Sequence, residues 1–536
     1  MALDSPSAPG DATSDAAAST AGAPPAAELD PRRWWALAVL CLSLLLIVMD
    51  NTIVNVALPT IQEDLGATGS QLQWIVDAYV LVFAGLLLTM GSLGDRYGRK
   101  PALSLGLLIM GSASAISAWS SDPQQLIFWR AVMGIGGALI MPATLSILTN
   151  VFTDHRERAR AIAIWAGTSG MAVAIGPVTG GWLLNHFWWG SVFLINVPVV
   201  VVALVAGYKI IPNSKDPNPP ALDPLGALLS IVGLVTLVWA IIEAPDQGWT
   251  DSVTLTAFGI AAVLLIAFGI HEKRSDHPML DVNFFRNPRF SAASGAITMT
   301  FFAMFGTLFL FTQYMQFVLG YSPLATGVRF IPMAAVTMVV APSSARIVER
   351  VGTKAVVATG LGFTSLALAL GTFLTADGGY LPLLGVLLVM SVGMGLTMAP
   401  ATESIMGSLP LAKAGVGSAV NDTTRQVGGA MGVAVLGSLL ASSYGSKMAD
   451  FLAGLPMQVP ADAAAAVEDS VGAAVGVASR LPAPAADALT GAARAAYVDG
   501  MGISLWVGAG VALIGALIAL VFLPSRAPSH LEDSAG

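Results

Sequence analysis

GSLGDRYGRK, residues 91–100, lies between two apolar runs, 74–90 and 102–119. Each run is about as long as a helix needs to be to cross a bilayer, which is roughly 20 residues. The short link carries Asp95, Arg96, Arg99 and Lys100. This pattern predicts a tight basic turn at a membrane face. The positive-inside rule predicts that this face is the cytoplasmic one.

A second stretch, ERVGTK at residues 349–354, repeats the pattern of DRYGRK at residues 95–100. Both have an acid, Arg, an apolar or aromatic residue, Gly, a polar or basic residue and Lys. The second copy also lies between two apolar runs. Two such turns at matching places predict two related halves, a known plan in secondary transporters.

Composition excludes an ordinary soluble domain. Of 536 residues, 55% are hydrophobic and only 11% are charged, and the mean hydropathy is +0.74. Soluble domains carry about 25% charged residues. The single cysteine, Cys41, excludes an internal disulfide framework, and the five histidines fall in loops, in the C-terminal tail or near span ends. These features argue against a cysteine- or histidine-based metal site.

Hydropathy predicts an all-α integral membrane protein with fourteen transmembrane helices. The spans are expected near 34–59, 73–93, 101–120, 124–149, 160–184, 189–211, 224–243, 252–270, 290–314, 324–347, 354–375, 380–402, 418–441 and 502–523. The repeated turn then predicts two six-helix halves, 34–211 and 290–523, with two inserted helices and their cytoplasmic links in 212–289. The expected flanks are a disordered cytoplasmic tail, 1–33, a C-terminal cytoplasmic tail, 524–536, and a long extracellular loop, 442–501, for which a spacer without transport chemistry is the favoured interpretation.

The charge distribution agrees with fourteen spans. Of the 25 Lys and Arg residues, nineteen fall on the side predicted to be cytoplasmic, and three fall in the 442–501 loop. The remaining three, Arg130, Arg329 and Arg425, lie inside spans or at their edges. Charges inside a membrane are costly and are candidate functional groups by default.

Several motifs in chain order resemble the major facilitator superfamily, and within it the fourteen-span drug:proton antiporter branch that includes QacA-like and EmrB-like exporters. The motifs are DNTIVNVALP at 50–59, GSLGDRYGRK at 91–100, the Arg130 region at 126–134, GMAVAIGPVTGG at 170–181, FLINVP at 193–198 and residues 417–429. The resemblance covers about residues 34–523. The second turn departs from the family pattern. Glu349 and Thr353 replace an acid–base pattern that is already degenerate at this turn.

The resemblance implies the major facilitator fold and a proton-coupled antiporter that exports amphiphilic drugs or antibiotics across a bacterial cytoplasmic membrane. It implies a monomer with both termini in the cytoplasm. Transport is expected to be driven by the proton gradient, without a cofactor. The expected partners are a drug-like molecule, protons and the bilayer, and no nucleic acid is expected. The alternative is a carrier for one metabolite or a self-made antibiotic. A membrane enzyme is disfavoured, because the chain contains no nucleophile elbow, zinc-helix motif or Walker loop. A receptor or scaffold would not need buried acids.

Three charged residues form the predicted proton-coupling site. Asp50 lies about 24 Å into span 1 from the inner face, and Arg130 lies about 9 Å into span 4 from the outer face, at 1.5 Å per residue. Asp77, early in span 2, lies at a comparable depth. An unpaired carboxylate at this depth favours its protonated form, and a nearby Arg opposes that. The alternatives are a structural Asp50–Arg130 ion pair and an Asp77 at the headgroup boundary.

Two glycine-containing motifs are predicted to control helix approach. Gly91 and Gly94 allow two helices to pack closely. The resemblance implies that Asp95, with Arg96, Gly98 and Arg99, forms a cytoplasmic gate that stabilises the outward-facing state. The alternative is a basic turn that only sets topology. In span 5, Gly170, Gly176, Gly180 and Gly181 form a smooth face and Pro177 bends the helix. The resemblance links this motif to antiport; the alternative is packing alone.

A third charged group is predicted near the inner mouth. Glu403 lies late in span 12, and Asp422 and Arg425 lie early in span 13. They are candidates for substrate entry or proton release. An interfacial ion network is the slightly favoured alternative.

Overall fold

The computed structural model describes residues 32–525 except 153, 216–221, 276, 277, 279, 410–413 and 456–458. The tails 1–31 and 526–536, and parts of the links predicted near 212–223 and 271–289, therefore lie outside the described residues. In the described part the chain is helical and contains no strand. Fourteen helical segments are long and apolar enough to cross a membrane, which confirms the predicted span count.

The first half contains seven helices. They are α1 Arg33–Leu65, α2 Gly69–Tyr97, α3 Arg99–Ser117, α4 Pro123–Val151, α5 His155–His186, α6 Ser191–Leu194 and α7 Asn196–Ile210. Local chemistry sets where they begin. Thr68 forms a capping box with Gln71 at the start of α2, and the Asp122 and Asp154 side chains cap α4 and α5. Such side chains satisfy amide N–H groups that the first helical turn leaves unpaired.

The insert consists of α8 Pro224–Gln247 and α9 Ser252–Arg274. Helix α8 packs against α2 of the first half and α15 of the second half, and α9 packs on α8. Most of α9 faces away from the protein, since only 17% of its apolar window is buried. The insert therefore lies at the side of the bundle, where the two halves meet.

The second half begins after a 3₁₀ turn at Val282–Arg286. It consists of α10 Pro288–Gln313 with a π turn Tyr314–Val318, α11 Pro323–Arg329, α12 Ile331–Val351, α13 Thr353–Gly371, α14 Tyr380–Met406, α15 Ala414–Ala453, α16 Ala461–Asp469, α17 Val471–Ala478 and α18 Ala483–Phe522.

The two long helices on either side continue into the segment predicted as the 442–501 loop. Helix α15 continues to Ala453 and α18 already begins at Ala483, so the connection is 454–482. The extension at the start of α18 is rich in Ala, which favours helix beyond the apolar window that hydropathy detects. The connection contains α16 and α17. We call residues 461–478 the clasp.

The repeated turns have the same backbone geometry. Gly98 between α2 and α3 has φ 121°, and Gly352 between α12 and α13 has φ 86°. Residues that carry a side chain rarely adopt a backbone conformation with positive φ, so glycine is required at both turns. We call the end of the bundle that carries these two turns the basic end and the opposite end the distal end. The shared geometry supports the relation between the two halves.

Candidate functional site

Asp50 and Arg130 form a buried ion pair. Arg130 Nη1 donates to Asp50 Oδ2 at 2.5 Å, and the two side chains are 0% and 1% exposed. The helices α1 and α4 supply them from distant parts of the chain. The predicted proximity is therefore present. An ion pair this deep is costly to desolvate and is held by additional hydrogen bonds.

Neighbouring groups hold both members of the pair. Asn196 Nδ2 donates to Asp50 Oδ1 at 2.8 Å and lies 3.0 Å from Ser114 Oγ, which donates to the Phe193 carbonyl. Arg130 Nε donates to a backbone carbonyl of α2 at 2.9 Å, and its guanidinium lies 4.5 Å from the Tyr79 ring centroid. Arg130 Nη2 has no hydrogen-bond partner in the described part of the chain. Most hydrogen-bonding groups of the Asp50–Arg130 pair therefore have partners, and Arg130 Nη2 is the exception.

Asp77 is the contrasting carboxylate. Its side chain is 0% exposed, and among the described residues neither carboxylate oxygen has a hydrogen-bond partner. It lies on the same helix as Tyr79 and is buried inside the bundle. An ionised carboxylate without partners costs several kcal/mol or more in such surroundings. A bound proton or a cation removes that cost.

The site thus combines a paired and an unpaired carboxylate in one half. Two acids in different environments hold protons differently, so the two carboxylates can exchange protons at different points of a transport cycle. Among the described residues, no group of three or more His, Cys, Asp or Glu could hold a metal ion.

The loop between α2 and α3 has the predicted close contacts. A Cβ on Gly91 would lie 3.3 Å from Pro142 of α4, and a Cβ on Gly94 would lie 3.2 Å from Ala102 of α3. Asp95 Oδ1 accepts from Arg99 Nε at 2.7 Å, within the turn itself. Arg96 lies over the Tyr97 ring at 6.0 Å. In this state the Asp95 carboxylate is therefore bound inside its own motif.

The glycines of α5 face two different helices. A Cβ on Gly176 would lie 1.9 Å from Thr52 Oγ1 of α1, and one on Gly180 would lie 3.4 Å from Ile53. A Cβ on Gly181 would lie 2.5 Å from Leu324 of α11 in the second half. The surroundings of Gly170, in the same helix, lie outside the described residues.

Pro177 takes part in the same contact between halves. Its carbonyl oxygen lies 2.1 Å from where a Cβ on Gly327 would be, so α11 lies directly against the α5 backbone. The motif therefore packs against α1 in its own half and against α11 in the other.

The predicted inner cluster forms only in part. Arg425 lies 3.8 Å from Asp422, donates to Thr402 at 3.2 Å and lies 5.4 Å from the Phe301 ring centroid. Glu403 is exposed, and no ion pair joins it to Arg425 in the described part of the chain. Consecutive helix positions such as 402 and 403 point in different directions, so Thr402 faces Arg425 and Glu403 does not.

Hydrogen bonds between the two halves lie at the distal end. Gln316 Nε2 donates to the Val56 carbonyl at 2.9 Å, the Leu324 amide donates to Asn185 at 3.3 Å, and Ser438 lies 3.4 Å from Gln73 Oε1. These contacts join the distal parts of α1, α2 and α5 to the second half, and they close that end.

The clasp adds a second layer to this closure. Gln62 Nε2 donates to Ser470 Oγ at 2.6 Å, and the Gly69 amide at the start of α2 donates to both Asp469 oxygens at 3.1 and 3.2 Å. Burial raises the pKa of Asp469 to about 6, against the lowering effect of the Ser470 and Gly69 hydrogen bonds, and the charge of Asp246 raises it further. The segment therefore packs on the first half instead of hanging free.

Sequence reasoning missed two groups of site residues. Asn196 lies in the FLINVP motif, but no local signal links it to Asp50, which is 146 positions away. The clasp residues Asp469 and Ser470 lie in an Ala-rich segment that hydropathy interprets as a linker. Only the folded chain brings these residues to their partners.

Comparisons with known proteins agree with this architecture. A family model described as Major Facilitator Superfamily matches residues 40–433. The chain is 36% identical over 497 residues to the multidrug efflux pump LfrA of Mycolicibacterium smegmatis, with 93% of this chain and 97% of that protein covered. It is 34% identical over 503 residues to the tetracenomycin C resistance and export protein of Streptomyces glaucescens, with 92% and 93% covered.

A third relative is the methyl viologen resistance protein SmvA of Salmonella typhimurium, 32% identical over 481 residues, with 88% of this chain and 95% of that protein covered. Among solved structures, a bacterial homolog of the human lysosomal transporter Spinster, inward-facing and unoccupied, matches with a TM-score of 0.63 at 16% identity, covering 93% of this chain and 100% of that chain. The inward open xylose transporter XylE from E. coli matches with a TM-score of 0.57 at 12% identity, covering 93% and 98%. The structural likenesses show the fold.

Proposed function

The chain belongs to the major facilitator superfamily, and on that premise we propose that this multi-pass membrane transporter, which is not an enzyme, is a proton-coupled antiporter that exports amphiphilic drugs or antibiotics. The efflux and resistance proteins to which it is similar support export of drug-like molecules. The observation that carries the proton coupling is Asp77, a fully buried carboxylate without a partner in the described chain, in the same half as the Asp50–Arg130 pair.

We place the basic end in the cytoplasm, because the positive-inside rule assigns short basic links to that side. Both termini are then cytoplasmic. The contacts between the halves at the distal end then close the pathway to the outside. With the cytoplasmic side open, Asp95 binds Arg99 within its own turn. When that side closes, Asp95 exchanges this partner for groups on other helices.

Proton entry and drug export are coupled because the proton and the cationic drug compete to neutralise the same carboxylates. A proton arriving from outside neutralises Asp50 and weakens its hold on Arg130, and a proton on Asp77 makes this carboxyl compatible with its dry surroundings. A cationic substrate replaces the proton as the compensating charge. Proton and drug therefore exclude each other at the site, and the proton gradient drives export without a cofactor by a monomer in the bilayer.

The test is efflux of a cationic dye from energised cells, with and without a protonophore. We expect Asp50→Asn and Asp77→Asn each to abolish protonophore-sensitive export while expression is retained. Asp462→Asn, an exposed clasp residue, is the matched control and should export normally. Unchanged proton-coupled export by both site variants would contradict the proposed coupling site.

A carrier for one metabolite or one self-made antibiotic is the second candidate. One relative is named for resistance to and export of a single antibiotic, tetracenomycin C, which favours this possibility. A panel of unrelated cationic dyes separates the two. Export of several dyes supports a broad exporter, and export of none favours the narrow carrier.

A further inference from the structure

A cleft at the distal end lies between the first half and the insert, and its lining residue Ile127 is three positions before Arg130 on α4. Its volume is about 440 Å³, and its lining includes Gln71, Trp74, Gln124, Ile127, Trp239 and Glu243. This volume is within the range of small-molecule sites, about 300–1,000 Å³. The proposed proton-coupling site uses none of these residues.

Three helices build the cleft, and each contributes a matched pair of side chains. Gln71 and Trp74 are three apart on α2, Gln124 and Ile127 are three apart on α4, and Trp239 and Glu243 are four apart on α8. Residues at these spacings share one face of a helix. The three faces therefore converge on one space, where two indole rings lie beside one carboxylate.

The Glu243 carboxylate can accept hydrogen bonds in the cleft. Trp74 and Trp239 line the same space as this carboxylate. Glu243 is half-buried, and among the described residues no Lys, Arg or His forms an ion pair with it. An ionised carboxylate accepts up to about four hydrogen bonds. The charge of the cleft is therefore negative and open to a cation.

The depth of the cleft fits an amphiphile. Trp74 is about 8 Å from the start of α2 and Glu243 about 6 Å from the end of α8, at 1.5 Å per residue. Both side chains are therefore close to the helix ends, where we expect the apolar and charged parts of one molecule both to be accommodated. Aromatic faces attract organic cations, most strongly where water is excluded.

We propose that this cleft is a second binding site, for a lipophilic organic cation of the quaternary ammonium or phosphonium class, in which Trp74 and Trp239 flank the cation and Glu243 neutralises it. The inference extends the proposed export function by naming a distal place where cargo binds. Binding itself does not require transport. The same chemistry is available from a free solute and from the ammonium headgroup of a membrane lipid.

The experiment is photolabelling of the full chain in phosphatidylglycerol nanodiscs with a diazirine-bearing triphenylphosphonium, followed by peptide mapping. We expect adducts on α2, α4 or α8 peptides that line the cleft, and at least about a tenfold loss of these adducts in Glu243→Gln. Trp239→Leu should lose them similarly. Glu63→Gln, which removes an exposed acid at the same end, should label as wild type does.

Two further arms define the ligand and separate this inference from the export function. A neutral analogue, the matching triphenylmethyl diazirine, should leave the cleft unlabelled. Equal labelling by it would overturn the proposal, as would phosphonium adducts that persist in Glu243→Gln. Labelling that survives added phosphatidylethanolamine supports a free solute, and labelling displaced by it supports a lipid ammonium group. Asp50→Asn should keep cleft adducts even though export is lost, so failure of either idea is visible separately.

Discussion

Gly176 lies where α5 crosses α1, and the contact leaves room only for hydrogen. A Cβ there would lie 1.9 Å from Thr52 Oγ1 and 3.2 Å from the Met49 carbonyl oxygen. The Thr52 hydroxyl is hydrogen-bonded to the Val48 and Met49 carbonyls at 3.2 and 3.0 Å, so turning it away costs those bonds. Asp50 is two residues from Thr52, so a shift of α1 here reaches the ion pair.

We therefore expect Gly176→Ala to lower thermal stability and dye efflux, with a cost of about 1–3 kcal/mol for overpacking. Adding Thr52→Ala should recover part of both losses, because it removes the obstructing hydroxyl. Gly167→Ala is the control on the same helix, since nothing lies within 4 Å of a Cβ there. Equal losses in the control would show that α5 tolerates no alanine, and would contradict a specific contact.

At the element scale, the clasp is held by a carboxylate whose pKa of about 6 lies above its ordinary value of 3.8. The docked clasp therefore holds the proton more tightly than the free clasp does. Docking is most favourable below about pH 4 and weakens as pH rises through about 6. The groups that act on Asp469 from other elements are Asp246 of α8 and Tyr444 of α15.

The measurement uses a cysteine in place of buried Val467, in a Cys41→Ser background, reacted with a membrane-impermeant maleimide. Its labelling rate, divided by that of exposed Ala461→Cys to remove the reagent's own pH dependence, should rise between about pH 4 and pH 7. Asp469→Asn should make the ratio independent of pH. A ratio that rises as pH falls would refute this account of the clasp.

For the whole molecule, the contacts at the distal end favour the state that is closed there. Gly181 packs against the backbone of α11, 2.5 Å from the Leu324 Cα if it carried a Cβ. Backbone atoms cannot turn aside as a side chain can, so a larger residue at 181 forces the halves apart at this end.

We expect Gly181→Leu to shift the population toward the distally open state. A packing cost of about 1–3 kcal/mol paid only in the closed state changes the ratio of states roughly 5- to 150-fold. Electron-spin distances between labels should lengthen across the distal end and shorten across the basic end. Gly385→Leu, in open space on α14, should leave both distances unchanged. Distances that do not change in Gly181→Leu would contradict the closure described here.

Much of this molecule is determined by local sequence. An apolar run of about 20 residues forms a spanning helix because the bilayer leaves no water for its backbone groups. Fourteen spans and two matching glycine turns therefore follow from the chain alone, since Gly98 and Gly352 adopt a backbone that other residues avoid. Asp50 and Arg130 were predictable partners, because similar depth and opposite charge inside a membrane leave each few alternatives.

Tertiary structure decided everything that depends on rotation about a helix axis or on partners far along the chain. Depth alone allows either a buried Asp77 or one at the headgroup boundary. Packing buries it without a partner among the described residues, while Asn196 reaches Asp50. Packing also turns Glu403 away from Arg425 and places Asp469 on the first turn of α2. A helix of uniform hydropathy carries little signal for which face meets a neighbour, so the folded bundle alone fixes these contacts.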